Sequence, residues 1–292
     1  MSSHLVPAFD FADADVVLVS GDAERPVDFR LHRTILSVAS PFFRDMFSLP
    51  QGSDKDEALP RIPMSETASV LRTLFQLVYP LPAPTMASLE ELKEIMAVAL
   101  KYDFDGAISK LRTQLVSPKF LDAAPLAVYA TACRFELEDE AKIASRHTFG
   151  INLLDSTSTA LCEDLKWISA YHYHKLLVLH RARSRAAIAV FDNRKDVPLL
   201  CMQCSGGANS FRHHHHTTSS TRPPTAKWWP EFEARAREEL SARPTTDVVF
   251  GLGFLYSASA KAGCPRCPGS VLESWKYLME LKAAIDDLPS TV

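Results

Sequence analysis

The sequence has no run of 18 or more consecutive apolar residues, which excludes a membrane-spanning helix. It has no basic excess either. Lys plus Arg number 32 against 35 for Asp plus Glu, a net charge of −3, so a main task of gripping phosphate backbones is not expected. The start, from Met1 to Pro7, lacks the basic lead and apolar stretch of a signal peptide. The expectation is a soluble protein of the cytoplasm or nucleus with no membrane partner. No Gly-x-Ser-x-Gly elbow, Walker loop, Gly-x-Gly-x-x-Gly turn or His-Glu-x-x-His helix occurs. Asp28, His32 and Ser37 or Ser40 lie near one another, but no nucleophile turn frames them, and no enzyme is expected. The six cysteines are too few for a disulfide scaffold in 292 residues.

What is present suits a globular chain: 47% apolar and 23% charged residues, enough to build a core. The length allows about two domains at roughly 150 residues each. Val16 to Val19 read as a strand, and Val27, Phe29 and Leu31 alternate with Asp28, Arg30 and His32 as its half-exposed partner. The period then becomes helical through Ile35, Leu36, Val38, Ala39, Phe42, Phe43, Met46 and Phe47, read as two short helices sharing one apolar face. Ser40-Pro41 divides that stretch, with Ser as N-cap and Pro at the first helical position. Leu59 to Pro63 reads as a short edge strand, and Val70 to Val78 as a helix. Ser88 with Glu91 makes a capping box for the next one, and almost everything to Phe149 looks helical. Leu165 to Phe191 reads as one long helix, Trp228 to Arg243 as a charged one and Val271 to Asp287 as the last. Val248-Val249-Phe250 is left as a strand or a short buried turn.

The stretch Asp15 to Lys101 resembles the BTB/POZ domain. The resemblance rests on Asp15-Val16-Val17-Leu18, Phe29-Arg30-Leu31-His32 with Ile35-Leu36, Ser40-Pro41-Phe42-Phe43 with Met46-Phe47, and Leu74-Phe75-Gln76-Leu77-Val78-Tyr79. Pro80 stands where the family commonly has Thr-Gly. That departure, with Leu49-Pro50-Gln51 and Lys101-Tyr102-Asp103, looks like the BTB proteins abundant in mushroom-forming fungi. The resemblance implies an α+β, mainly helical chain, with an N-terminal BTB/POZ fold of a small sheet on a helix cluster. Helical segments and a small cysteine-paired C-terminal unit follow. The expected divisions are a BTB/POZ domain at 10–118, a BACK-like helical extension at 119–195 and a C-terminal unit at 196–292, with a low-complexity insert at 205–226.

The resemblance also implies a homodimer formed through the first elements of the domain. Leu5, Val6, Phe9 and Phe11 precede the first strand and either supply that contact or tuck against their own domain. A substrate adaptor of a cullin-type ubiquitin ligase is a narrower version, with Leu49 and Gln51 in the partner-facing loop. Gln51 lacks the acidic group such adaptors often carry there.

Cys201-Met202-Gln203-Cys204 and Cys264-Pro265-Arg266-Cys267 are two Cys-x2-Cys units. Each can turn both sulfurs toward one ion, and together they can complete a tetrahedral thiolate shell around structural Zn2+. Redox or unliganded thiols and a pair of disulfides remain alternatives. Cys133 and Cys162 fall on helical stretches and read as core residues. His213 to His216 sit in the low-complexity tract, and His172, His174 and His180 read as core or surface histidines. Arg181, Arg183 and Arg185 form the only basic patch worth testing for nucleic acid, which is otherwise not expected as a partner. Trp228, Trp229 and Phe232 either anchor their helix in its own core or form a partner pocket.

The expected function is a non-enzymatic protein–protein interaction module that self-associates and docks other proteins. The alternatives are the cullin-type adaptor and a nuclear, transcription-related regulator that uses the zinc unit.

Overall fold

The computed structural model describes residues 9–49, 59–154, 162–192, 199–205 and 225–291. The chain divides into two compact units, residues 1–140 and 141–292.

In the first unit, β1 (Val16–Val19) pairs antiparallel with β2 (Asp28–Leu31) and parallel with β3 (Arg61–Pro63), in the order β2-β1-β3. The central strand buries Val16, Val17 and Leu18 together, which is why it is an unbroken apolar run rather than an alternation. β2 alternates, with Phe29 and Leu31 fully buried and Asp28 exposed. β3 tolerates Pro63 because it lies at the sheet edge. The chain leaves β1 at Gly21, where a Cβ would meet the Ser65 carbonyl oxygen at 2.7 Å. Only glycine allows that close backbone approach.

Helices α1 (Arg33–Ala39) and α2 (Pro41–Ser48) meet at Ser40. Its Oγ accepts the Phe43 N–H at 3.1 Å and donates to the Tyr102 carbonyl at 2.5 Å. Then come α3 (Ala68–Val78), α4 (Leu89–Lys101), α5 (Asp105–Leu115), α6 (Pro118–Ala123), α7 (Pro125–Arg134) and α8 (Glu138–His147). Ser88 caps α4 by accepting the Glu91 N–H at 3.1 Å, while the Glu91 carboxylate accepts the Ala87 N–H at 2.6 Å. After α4 the turn is made by Asp103 at φ 52, so that the Phe104 N–H reaches back to the Ala99 carbonyl at 2.9 Å. The core is strongly aromatic: Phe9 packs on Phe29, Phe75 and Tyr79 with ring centroids 5.6 to 6.3 Å apart.

The second unit contains α9 (Ala170–Asp192), α10 (Trp228–Ala242), α11 (Thr246–Val249), α12 (Leu252–Lys261), α13 (Cys267–Glu273) and α14 (Trp275–Asp286). The single helix expected over Leu165 to Phe191 is divided. A 3₁₀ turn spans Glu163–Trp167, and Ser169 starts α9 afresh by accepting the His172 N–H at 3.3 Å. The helix expected over Val271 to Asp287 is also broken, at Ser274, whose N–H turns back to the Val271 carbonyl at 3.1 Å. The ambiguous Val248 segment is a short helical turn, and α12 has no counterpart in the sequence reading. Trp228, Trp229 and Phe232 are buried in the unit's own core with Phe191, Leu255, Leu278 and Ile285.

Arg183 overturns the reading of one basic patch. It is buried, and its guanidinium donates to the carbonyls of Pro244 (3.1 Å), Ile285 (3.1 Å), Leu288 (2.6 Å) and Pro289 (3.1 Å). It therefore ties the segment that follows α14 to the Pro244 turn before α11. Arg181 and Arg185 stay exposed. Among the described residues, no helix is long and apolar enough to cross a membrane.

His180 is buried with Nε2 2.8 Å from Thr148 Oγ1. The Thr148 hydroxyl already donates to the Ser145 carbonyl at 2.6 Å, so the imidazole donates from Nε2. Burial pushes its pKa down to about 4 from 6.5. The unfolded chain therefore takes up this proton at higher pH than the folded one. The neutral histidine's contribution is fully present above the unfolded pKa and is lost as pH falls from about 6.5 to about 4, by about 3 kcal/mol in all. Urea midpoints measured on either side of that window check this, and His180→Leu should flatten the slope.

Candidate metal centre and interaction surfaces

The two Cys-x2-Cys units lie on either side of α10, α11 and α12 in the sequence and converge in the core of the second unit. Cys201 and Cys204 belong to a turn after α9, and Cys264 and Cys267 to the bend that opens α13. Cys201, Cys264 and Cys267 are buried and Cys204 is half-buried. All four Sγ atoms lie within 4.8 Å of one another. The Cys201–Cys264 sulfurs are 3.8 Å apart and the Cys204–Cys267 sulfurs 3.6 Å. A tetrahedron with metal–sulfur bonds of about 2.3 Å has edges of about 3.8 Å, so these spacings suit a single four-coordinate ion. A disulfide needs about 2.0 Å between its sulfurs, and the six cysteines are all free thiols.

Backbone donors complete the arrangement. The N–H groups of Gln203 and Cys204 face the Cys201 sulfur, the Lys227 N–H meets the Cys204 sulfur at 3.3 Å, and the Trp228 N–H faces the Cys267 sulfur. Such donors favour thiolate over thiol. At Cys201, burial works to raise the thiol, but the two N–H groups and the neighbouring Cys204 and Cys264 sulfurs outweigh it and bring it down to about 6. At Cys267, burial and the neighbouring sulfurs prevail over the Trp228 N–H and push the thiol up to about 12. Four sulfurs, with no oxygen or nitrogen ligand and little exposure, form a closed donor set of the kind that holds structural zinc.

The same place ties the chain ends on either side of residues 206–224. The Ser205 N–H bonds the Cys201 carbonyl at 3.0 Å, the Cys201 N–H bonds Ser205 Oγ at 3.0 Å, and the Ala226 N–H bonds the Leu199 carbonyl at 2.7 Å. His213 to His216 and most of the insert lie outside the described residues.

The surface residues named from the sequence fare differently. Leu5, Val6 and Gln51 lie outside the described residues. Phe9 is 2% exposed and belongs to the unit's own core. Phe11 is half-buried and stacks on Tyr79, with centroids 5.4 Å apart and planes 7° apart. Leu49, in the segment after α2, is 62% exposed. Sequence reasoning placed both Val38 of α1 and Phe42 of α2 in one buried apolar face, yet they are 84% and 40% exposed. The signal was available, since Val38 falls off the stripe that Leu36 and Phe43 bury. His32 and Ser40 form no triad. The His32 backbone N–H and ring bond Tyr79, and Ser40 is spent on the α1–α2 elbow. Cys133 is a buried residue of α7.

A family model for the BTB/POZ domain matches residues 10–119. No curated protein matches the chain.

Proposed function

We infer that this chain, with a BTB/POZ domain at residues 10–119 as its N-terminal part, is a non-enzymatic interaction protein that self-associates through that domain and docks other proteins. The observation that carries self-association is the apolar face left on the α1–α2 elbow by Val38 and Phe42. Fully burying a side chain of this size gains about 1.5–3 kcal/mol, and a two-fold contact uses each one twice. Light scattering of the full chain at high micromolar concentration should give a dimer, and Val38→Asp should weaken it by tenfold or more while leaving the circular dichroism unchanged. A wild-type chain that stays monomeric removes self-association. A cullin-type partner is the narrower version of the docking role, for which exposed Leu49 is the available contact.

The C-terminal unit, on this reading, is closed by one structural Zn2+ held by Cys201, Cys204, Cys264 and Cys267. The spacing of the four sulfurs supports it. Metal analysis of the purified full chain should find one zinc per chain, and no stoichiometric metal would remove the clasp.

A further inference from the structure

The division of the basic trio leaves Arg181 and Arg185 on one face of α9, one helical turn apart and both exposed. Like charges at this spacing oppose each other and weaken the helix. Neither is in an ion pair among the described residues, whereas Arg112, Arg237 and Arg243 each meet a carboxylate. The two guanidiniums flank a cleft of about 480 Å³, inside the range of sites that take a ligand. Leu153, Leu177 and Ile188 supply its apolar wall, and Ser184 a hydroxyl.

We propose that this cleft is a docking groove for an acidic peptide segment of a partner protein, with one leucine or phenylalanine seated between two carboxylate-bearing residues. The charge pattern selects that occupant. Side chains one helical turn apart leave the helix about 5–6 Å from each other at their Cβ atoms, close to the span of two residues on an extended peptide at about 3.3 Å per residue. A single-headed carboxylate amphiphile would satisfy one arginine and leave the other. A nucleic acid strand is disfavoured because the one ring in the cleft lining, His180, is buried and held by Thr148, which leaves none free to stack a base. The groove lies wholly in the second unit and does not depend on self-association, so it stands or falls separately from the dimer.

A phage-displayed random peptide library panned on the immobilised full chain tests this, followed by fluorescence anisotropy with the enriched peptides synthesised and labelled. The enriched sequences should carry paired acids around a leucine or phenylalanine and bind less tightly as salt rises. They should bind the Arg181→Glu/Arg185→Glu chain at least tenfold more weakly, and Arg181→Gln/Arg185→Gln to an intermediate degree. Both variants change exposed residues and should keep the wild-type circular dichroism and light scattering. Enrichment of neutral or basic peptides, equal binding to the charge-reversed chain, or no enrichment at all would each overturn the proposal.

Discussion

Stripping zinc from the full chain should melt its second unit and leave the first one folded. The reason is the position of the ligands. Cys201, Cys264 and Cys267 are members of the same buried cluster as Trp228, Trp229 and Phe232, so a metal held by them, as proposed above, would close the core itself. Structural zinc contributes about 10–16 kcal/mol of apparent binding free energy in small zinc modules. A whole domain is stable by only about 5–15 kcal/mol. A chelator at neutral pH should therefore collapse hydrogen-exchange protection across α9, α10 and α12 to α14, with the strands and α1 to α5 unaffected. Cys267→Ser should do the same without a chelator. Protection unchanged after complete metal removal would show that the apolar contacts suffice and that zinc is not a folding ligand.

Replacing Arg183 with Met should destabilise the second unit by about 3 kcal/mol, because it removes charge-assisted hydrogen bonds from a buried site. The partners are four carbonyl groups; the Ile285 carbonyl keeps the Leu288 N–H, but the acceptor of buried Pro244 is left bare, at about 1–3 kcal/mol. The planar guanidinium reaches them from several directions at once, which a lysine ammonium does not reproduce. Arg183→Lys should therefore recover only part of the loss. Urea denaturation followed by tryptophan fluorescence reads the second unit selectively, because Trp228 and Trp229 are fully buried there. A loss below about 1 kcal/mol would mean that water takes over the carbonyls.

The parts of this fold that a reader of the sequence can recover are those encoded locally. Ser40 before Pro41 and Ser88 before Glu91 announce their helix starts, and both side chains make the caps their chemistry predicts. The paired cysteines announce a common site because two short turns with the same ligand spacing are a strong pattern. What escapes is set by tertiary contact. The whole stretch Tyr102 to Gly106 looks like a break after α4, yet Asp105 and Gly106 already lie inside α5, and Asp103 alone makes the turn. The helix α12 hides because Phe254, Leu255, Tyr256, Ala258 and Ala260 place apolar groups on every face, so no period stands out. Arg183 and its two neighbours are alike in sequence. Only the fold reveals that one is spent on the segment after α14 and that two face a cleft.

The hydrogen bond from the Ala226 N–H to the Leu199 carbonyl, with the Ser205 and Lys227 contacts beside it, sews shut the base of the excursion at residues 206–224. A stretch closed at its base can change length at small thermodynamic cost, since doubling a loop costs only about 0.6 kcal/mol. The seam formed by residues 199–205 and 225–227 is thus set by its own hydrogen bonds and by the cysteines beside it, and it needs only that its two ends be joined.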